Sequence, residues 1–576
     1  EVQSLYGVLQ PVCGNGVCEP PSETATSCAS DCGTLPGNYL CGDGQCLGVE
    51  SQANCATDCG PITATNCNYY ASPAGGGNGL SQSSPFQIAD FWGVENIAGK
   101  KLCLMDGTYT GLDSMIQPPE ELSGTQGNPI TISALHDGEV FIDGQGAHVP
   151  VSLDYYNSWF VLEGFNACCS GAVVDIFSSS DNIIVRRVVG WDAAEGNTNI
   201  FGVAFSKNVL FEDCAGFGVA RKIFGRYGGS AADENHSLTL DTNDTFRRVF
   251  ARLQYSTWGG PTAITTDYNT NYDITENAIA TVDGYLADQS GLGAGYADVI
   301  DSDRPWDRNN QLLGSIFYRI EEESITGSPL GNMVNIDGEN NKVRDVLSYV
   351  GGSESTWGVM WQNVGFNYQR NPSITGVTEN SNSDVKFITL VGGPGSSFRF
   401  IDGSTVSHII ATDANWQGSD DPEHDTYGYA IQMPLSWSGA PDEGLAPDYV
   451  MAYNNIKNWN NVPAHYSTLS PDLIGRFGNL LQYGTSQRPT VNGQSVGAQI
   501  QCRYENGVLT NKPLWPWPMN ERIRIATCMY DYGLSKDECE SLSSTGVDVT
   551  KTIFELGGGS VPDFASVNPQ VCPGSI

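Results

Sequence analysis

The chain has 576 residues and carries 65 acidic against 28 basic side chains, which gives a net charge of −37 at pH 7. A surface this acidic repels nucleic acids and anionic membranes, so neither is expected as a partner. Apolar residues make up 40% of the chain and its 67 glycines follow no Gly-X-Y period, which excludes intrinsic disorder and a collagen-like triple helix.

Two short cysteine-rich repeats open the chain, and they predict two small disulfide-bonded modules at residues 1–34 and 35–62. Four cysteines recur in each repeat at nearly the same spacing: Cys13, Cys18, Cys28 and Cys32, then Cys41, Cys46, Cys55 and Cys59. This density indicates an oxidising compartment. The chain begins at Glu1 as though a secretion signal had been removed, and it has no apolar run of about 18 residues that would span a membrane. We therefore expect a secreted or cell-surface protein.

The acidic residues of these modules leave the question of a metal open. Asp31 and Asp58 are candidate oxygen ligands for Ca²⁺. Disulfide modules without a metal are the alternative, and zinc is disfavoured because no histidine lies nearby. The total of 17 cysteines is odd, so one thiol stays free or pairs with another chain.

Residues 68–146 consist of short β-rich runs, each closed by turn residues. In one run Leu102, Leu104 and Tyr109 alternate with small or polar residues, and the chain turns at residues 106–107. The next run alternates in the same way between residues 130 and 142 and turns at residues 143–144. This segment resembles the opening of secreted right-handed parallel β-helix proteins of the pectate-lyase-like superfamily.

The same theme continues to residue 495 without a repeated sequence. Apolar runs bounded by Asn, Asp or Gly follow one another, several of them roughly 22–27 residues apart and others near 40. Spacings in this range are typical of the coils of a solenoid. We predict an all-β protein with a right-handed parallel β-helix over residues 63–495. Apolar residues of successive coils would stack inside, and function would lie in the loops and on the outer faces.

The tail at residues 496–576 changes character, and we expect a C-terminal cap with short helices. Residues 514–556 read as helical segments with acidic residues at their starts. The candidates for disulfides in the cap are Cys502, Cys528, Cys539 and Cys572. We interpret the cap as a lid that covers the open edge of the last coil.

Basic residues are concentrated in one stretch of this acidic chain. Nine of the 28 lie within 67 residues: Arg186, Arg187, Lys207, Arg221, Lys222, Arg226, Arg247, Arg248 and Arg252. Residues one coil apart become neighbours in a solenoid, so these side chains can line one face. The alternative is that they form structural ion pairs with nearby carboxylates, among them Glu163, Asp192, Glu195, Glu212 and Asp213.

Polysaccharide lyases of the fold that the chain resembles need a basic face of this kind. They cleave a uronic-acid polymer by β-elimination, which requires one group to neutralise the carboxylate and a base to remove the neighbouring proton. We assign the base to Lys222. The other predicted catalytic residues are Arg221, Arg226, Tyr227 and Arg248, and the predicted substrate-binding residues are Arg187, Arg252, Trp258 and Trp306.

A second candidate site is acidic. Four carboxylates lie within ten residues, at Asp298, Asp301, Asp303 and Asp307. Such a group indicates a Ca²⁺ loop or the acid pair of a glycosidase, and a solvated loop is the alternative. With Asp31 and Asp58 these four residues are the candidate metal ligands, and Ca²⁺ is the candidate cofactor.

Three functions fit these features. The first is a secreted enzyme on an extracellular polysaccharide, with a lyase favoured over a glycoside hydrolase. The second is a non-catalytic surface protein, an adhesin or a filament subunit, that contacts copies of itself through its rod and cysteine-rich modules. The third is a module that binds carbohydrate through exposed tryptophans. The six histidines are scattered, which disfavours a catalytic triad.

Overall fold

The chain is seen in a computed structural model. The model describes residues 66–194, 196–228, 242–256, 262–267, 270–282, 308–319, 340–350 and 497–556, residue 561, and separate strands between residues 298 and 495. The two predicted cysteine-rich modules lie outside the described residues, and with them Asp31 and Asp58. Among the residues that are described, no helix combines the length and the apolar composition of a membrane span.

The chain winds as a right-handed parallel β-helix, which confirms the predicted fold class. Each coil contributes strands to three parallel sheets, here named A, B and C. Sheet A contains Tyr69–Ala71, Lys101–Leu104, Ile130–Ala134, Phe160–Glu163, Ile183–Arg186, Val209–Glu212, Thr245–Arg247, Ile274–Glu276, Gln311–Leu313 and Thr405–Ser407. Its strands at Phe160, Ile183 and Val209 begin 23 and 26 residues apart, within the spacing predicted from the sequence.

Sheet B follows sheet A around each coil. It contains Gly107–Thr110, Val140–Asp143, Asn166–Ser170, Val189–Ala193, Ala215–Val219, Phe250–Tyr255, Ile279–Val282, Ile316–Arg319, Ile409–Thr412, Met451–Tyr453 and Tyr466–Thr468. Two longer strands, Lys342–Val350 and Asp384–Val391, run through the corner and pair in both sheets.

Sheet C closes the coil on the third side. It contains Val151–Leu153, Val174–Phe177, Asn199–Ala204, Lys222–Tyr227, Thr262–Asp267, Asp298–Ser302, Val334–Ile336, Val364–Gly365, Phe398–Arg399 and Ile431–Gln432. Outside the three sheets, hairpins pair Thr490–Val491 with Gln494–Ser495 and Cys502–Glu505 with Val508–Pro513. The helices are α1 (Ile88–Phe91), α2 (Asn520–Tyr532), α3 (Lys536–Ser541) and α4 (Val549–Leu556), with a 3₁₀ turn at Leu112–Ser114.

The inside of the β-helix is a continuous apolar core, because inward positions of successive coils stack like on like. Val185, Phe211 and Phe246 occupy one such row, in register on neighbouring strands of sheet A. Phe201 and Phe224 of sheet C stack with ring centroids 4.6 Å apart. Each fully buried side chain of this size contributes about 1.5–3 kcal/mol, and no single coil retains that burial alone.

The corner between sheets A and B repeats one backbone conformation. Its first residue is left-handed in eight successive coils: Gly164, Arg187, Asp213, Arg248, Asn277, Gly314, Asp345 and Phe387. A second left-handed position precedes the strands of sheet A, where asparagine, the non-glycine residue that tolerates this conformation best, recurs at Asn182, Asn208, Asn243, Asn309 and Asn340. The apolar runs in the sequence therefore begin after asparagine.

The described part of the tail lies along the outer face of sheet B. Trp515, Trp517 and Ile523 pack against Val189 and Phe250 of that face. Its polar contacts reach coils far apart. The backbone amide of Ala498 donates to Thr389 Oγ1, and Arg522 donates to Asp137. The predicted short helices are present. The expected lid over the last coil is wrong for these residues, because their apolar contacts are with the outer face of sheet B across several coils.

Most of the described cysteines are in disulfides. These join Cys67 to Cys103, Cys168 to Cys169 and Cys528 to Cys539, and Cys502 is disulfide-bonded as well. Cys214 is a buried free thiol. Burial raises the pKa of Cys214 to about 12, so the group stays protonated. An unpaired cysteine, expected from the odd total, is thus present among the described residues.

Candidate functional site

The outer face of sheet A is a ladder of alternating charges. Glu163, Arg186, Glu212, Arg247 and Glu276 lie in register on five successive strands. Arg186 Nε lies 2.7 Å from Glu163, and Arg247 lies 3.2 Å from Glu212 and 2.6 Å from Glu276. Of the ion pairs considered as an alternative for the basic cluster, those of Glu163 and Glu212 are confirmed here. This face is an internally neutralised surface.

The carboxylates of the ladder are held in their charged form. Burial alone raises the pKa of Glu163, but the charges of Arg186 and Lys101 and their hydrogen bonds outweigh it, so that pKa falls to about 2. Burial likewise opposes the charges of Arg248 and Arg247 at Glu212, and its pKa also falls to about 2. Both groups stay ionised and paired at any ordinary pH, which suits a structural role.

Two of the predicted substrate-binding residues are engaged by the tail. Arg252 Nη1 lies 2.7 Å from Asp531 of α2. Arg187 Nη2 lies 2.6 Å from Asp137, whose other oxygen lies 2.7 Å from Arg522. Both arginines therefore join the tail to the β-helix, and neither is kept as a substrate ligand.

Two of the predicted catalytic residues are structural as well. Arg226 is 2% exposed and lies inside the coil, 3.3 Å from Asp273, with its guanidinium 4.6 Å from the centre of the Phe246 ring. Arg248 is buried at the corner, where it pairs with Asp213 at 2.6 Å and with Glu212 at 2.8 Å. Arg226 lies inside the coil and Arg248 is held by two carboxylates at the corner, so neither arginine is kept as a catalytic group.

The outer face of sheet C has a different character, because glycine occupies it in two consecutive coils. Gly202 and Gly225 pair in register. The Asn199 side chain lies over both, and Tyr227 Oη donates a hydrogen bond to Asn199 Oδ1 at 3.0 Å. A Cβ at Gly225 would lie 2.7 Å from Tyr227 Oη and 2.9 Å from Asn199 Oδ1. The glycines thus allow polar side chains to lie flat across the sheet.

Lys222 stands at the next position of this face. It is buried, and its Nζ donates to Thr262 Oγ1 at 2.8 Å and lies 3.4 Å from Thr265 Oγ1. Arg221 precedes it at the entrance of the strand, where its guanidinium donates to Asn197 Oδ1. The predicted base and Tyr227, another predicted catalytic residue, therefore belong to one strand and one sheet.

The acidic candidates come to the same sheet. The strand Asp298–Ser302 pairs with Thr262–Asp267, with Asp298 opposite Thr262 and Asp301 opposite Thr265. The two threonines that contact Lys222 are thus the register partners of two predicted metal ligands. The sequence predicted the basic and acidic groups as two separate sites, but their strands belong to the same sheet and are separated by one strand. The remaining candidates, Trp258, Trp306, Asp303 and Asp307, lie outside the described residues.

An acidic residue that the sequence analysis missed lies at the other end of the row. Asp175 is the register partner of Gly202, and its carboxylate lies beside Asn199. Burial and the neighbouring carboxylate of Asp154 raise the pKa of Asp175 to about 6. A shifted carboxyl on an outer sheet face is a feature of functional sites. The alternation in residues 173–177, which puts Asp175 and Phe177 on one face, was the signal for it.

Exposed aromatic residues flank this end of the face. Phe177 is 37% exposed, and Tyr155 and Tyr156 are 49% and 59% exposed. Both tyrosines have positive φ, 43° and 69°, a conformation that bulky residues rarely adopt. Phe205 of the next coil contacts the Phe177 ring edge to face at 5.2 Å. Rings presented in this way can stack on the faces of sugar rings.

Known proteins resemble this chain weakly. No protein-family model matches it, and no curated protein matches its sequence. Pectate lyase Pel9A is 12% identical, with 78% of this chain and 92% of that chain covered and a TM-score of 0.33. Alginate lyase AlyF is 9% identical, with coverages of 75% and 92% and a TM-score of 0.35. The PL6-family alginate lyase AlyGC is 11% identical, with coverages of 70% and 55% and a TM-score of 0.33. Because these scores are low, the function proposed below rests on the chain's own residues.

Proposed function

We propose that the protein is a secreted polysaccharide lyase that acts on a uronic-acid polymer along the outer face of sheet C. The observation that carries the proposal is that sheet C brings Lys222 and Tyr227 into the same sheet as the strand Asp298–Ser302, beside the glycine pair Gly202 and Gly225. In the described coils, the outer charges of sheet A pair with one another and the tail packs against part of sheet B, whereas sheet C carries polar groups beside exposed rings.

The chemistry asks three things of this face. A base takes the proton from the carbon that bears the carboxylate, a double bond forms there, and the bond to the glycosidic oxygen breaks as that oxygen gains a proton. We assign the base to Lys222 and the proton donor to Tyr227. Arg221, at the start of the same strand, is assigned to the substrate carboxylate.

Ca²⁺ would complete the neutralisation of the substrate carboxylate. Carboxylate oxygens are the ligands that Ca²⁺ prefers, and Asp298 and Asp301 occupy the strand next to the threonines that contact Lys222. By residue type and by register, these two aspartates are the residues that would hold it. A bound cation would also offset the charge of −37 that otherwise repels a polyanion.

The test is the appearance of unsaturated ends, followed by ultraviolet absorbance, on a panel of uronic-acid polysaccharides with and without Ca²⁺. We expect activity on one class of polymer. Lys222→Ala and Tyr227→Phe should each lower that activity by at least about 100-fold, and the control Lys551→Ala on α4 should keep it unchanged. Gly225→Ala should lower the rate by pushing Tyr227 and Asn199 apart, whereas Gly202→Ala, whose Cβ meets atoms at 3.2 Å, should lower it less.

Two results would count against the proposal. The absence of unsaturated product on every polymer would remove the lyase, and full activity in Lys222→Ala would remove that base. Assembly into filaments, the alternative function, stays a prediction that electron microscopy of the native material tests.

A further inference from the structure

The disulfide between Cys168 and Cys169 joins adjacent residues, unlike Cys67–Cys103 and Cys528–Cys539. A disulfide stabilises a protein mainly by restricting the unfolded chain, and the effect grows with the length of the loop that it closes. The bonds Cys67–Cys103 and Cys528–Cys539 span 36 and 11 residues, but Cys168 and Cys169 are adjacent. Loop closure therefore gives no reason for this pair.

The pair has a carboxylate beside it. Asp143 is the register partner of Cys168 on the neighbouring strand of sheet B. One ligand atom from each of Asp143, Cys168 and Cys169 lies within 4.8 Å of the other two. Donors of a tetrahedral zinc ion, with Zn–S bonds of about 2.3 Å, lie about 4 Å apart, so the two sulfurs must separate on reduction before they and Asp143 can hold one ion.

The two cysteines differ in burial. Cys168 is 1% exposed, and its partner on the other side is Trp191, whose ring stacks on Phe141 at 5.0 Å. Cys169 and Asp143 are half-buried. Asp143 accepts one hydrogen bond, from the backbone amide of Gln145 at 2.8 Å, through Oδ1. Cys169 and Asp143 are thus the more exposed side of the site.

We propose that Asp143, Cys168 and Cys169 form a redox-gated site for one thiophilic divalent cation, such as Zn²⁺ or Cd²⁺. In the oxidised protein the sulfurs are joined and bind no metal. A dithiol reductant supplies two electrons and two protons, which gives two cysteine thiols and leaves the reductant as its own disulfide. The cation then displaces both thiol protons into solvent and takes two thiolates, with Asp143 as its third ligand.

Sulfur donors decide the class of metal. Thiolates select soft or borderline cations, whereas Ca²⁺ and Mg²⁺ take oxygen ligands. The site is thus distinct in chemistry from the calcium site proposed on sheet C, and it lies on a different sheet. Three protein ligands leave a fourth position for water.

The experiment uses the full chain with Cd²⁺ as the probe, because cadmium thiolates absorb in the ultraviolet. The protein is reduced with dithiothreitol, freed of it without oxygen, and titrated with Cd²⁺ beside the double variant Cys168→Ser, Cys169→Ser. We expect reduced wild type to bind one more Cd²⁺ than the reduced double variant, with thiolate absorption to match, and the unreduced protein to lack this increment. The difference between the two chains removes the contribution of the other cysteines.

Asp143→Asn checks the third ligand. It should weaken the additional Cd²⁺ site by at least about tenfold, while Asp113→Asn on the exposed 3₁₀ turn should leave it unchanged. Equal Cd²⁺ uptake by reduced wild type and the double variant would overturn the proposal. So would peptide mapping of the untreated protein that joins Cys168 to a cysteine other than Cys169, a measurement that does not depend on how the variants fold.

Discussion

At the scale of single residues, Arg226 was predicted to be catalytic but lies inside the coil as a structural residue. It lies four residues after Lys222, on the same strand, and the sequence grouped both as catalytic. Its guanidinium donates to Thr266, Thr275 and the carbonyl of Ile274 inside the coil. A sequence gives the spacing of basic residues. It does not show which of them face the inside of the coil, because an irregularity in a strand changes the alternation of its side chains.

We expect Arg226→Ala to lower the free energy of unfolding by about 3–5 kcal/mol, because it leaves Asp273 buried without its cation. Urea denaturation followed by fluorescence measures the change. The matched control is Lys207→Ala, an exposed side chain 3.9 Å from Asp181, which should cost about 0–1 kcal/mol. Equal effects of the two substitutions would show that Arg226 is not the buried ion-pair partner described above.

Asp175 should make the protein less stable at neutral pH than in mild acid. Its pKa is raised from 3.8 to about 6 in the folded chain, so folding favours the protonated form, and stability falls as pH rises through that interval. Asp175→Asn removes the charge. We expect it to raise the melting temperature at pH 7.5 and to change it little at pH 4. An equal effect at both pH values would contradict the shifted pKa.

At the scale of elements, the ladder on sheet A explains why basic and acidic residues alternate along the sequence at coil spacing. Arg186, Glu212 and Arg247 each lie between two opposite charges on the neighbouring strands, which are about 4.8 Å away on either side. The pairing was foreseeable once the coil length was known. Its register was not, because coils of unequal length separate Glu212, Arg247 and Glu276.

This ladder should control stability in acid. The pKa values of Glu163 and Glu212 fall from 4.5 to about 2, so the ladder stabilises the folded state fully above pH 4.5 and loses that contribution as pH falls towards 2. We expect the melting temperature of wild type to decline steeply over this range. Glu163→Gln should be less stable at pH 7 and should decline less steeply. A variant curve parallel to wild type would exclude Glu163 from the acid response.

At the scale of the whole molecule, the tail joins coils that lie far apart in sequence. Asn277 pairs with the backbone of Tyr504 in both directions, donating at 2.6 Å and accepting at 2.8 Å. Asp345 accepts from the Tyr504 hydroxyl and from the backbone amide of Gln499. These contacts bridge 227, 159 and 154 residues, a separation that no local sequence pattern can report. The fold class was therefore predictable, and the face that the tail covers was not.

Substitution of Asn277 tests this connection without disturbing the corner. Its φ of 53° suits glycine, and Gly314 occupies the same corner one coil later, so Asn277→Gly keeps the backbone and removes the two hydrogen bonds. We expect a loss of about 1–3 kcal/mol, because the backbone groups of Tyr504 lose their partners. Faster amide hydrogen exchange in residues 502–513 should accompany it. Unchanged exchange there would show that the tail is held by its apolar contacts alone.

The repeated left-handed corner has a consequence for how such a chain can change over time. Because the bend depends on backbone shape, glycine, arginine, aspartate, asparagine and phenylalanine all occupy it in turn. In the described coils the side chain at this bend is therefore chosen by what it contacts, such as the ion pairs of Arg248 and the tail contacts of Asn277 and Asp345. Evolution can exchange such contacts one coil at a time, because the bend itself tolerates each of these residues.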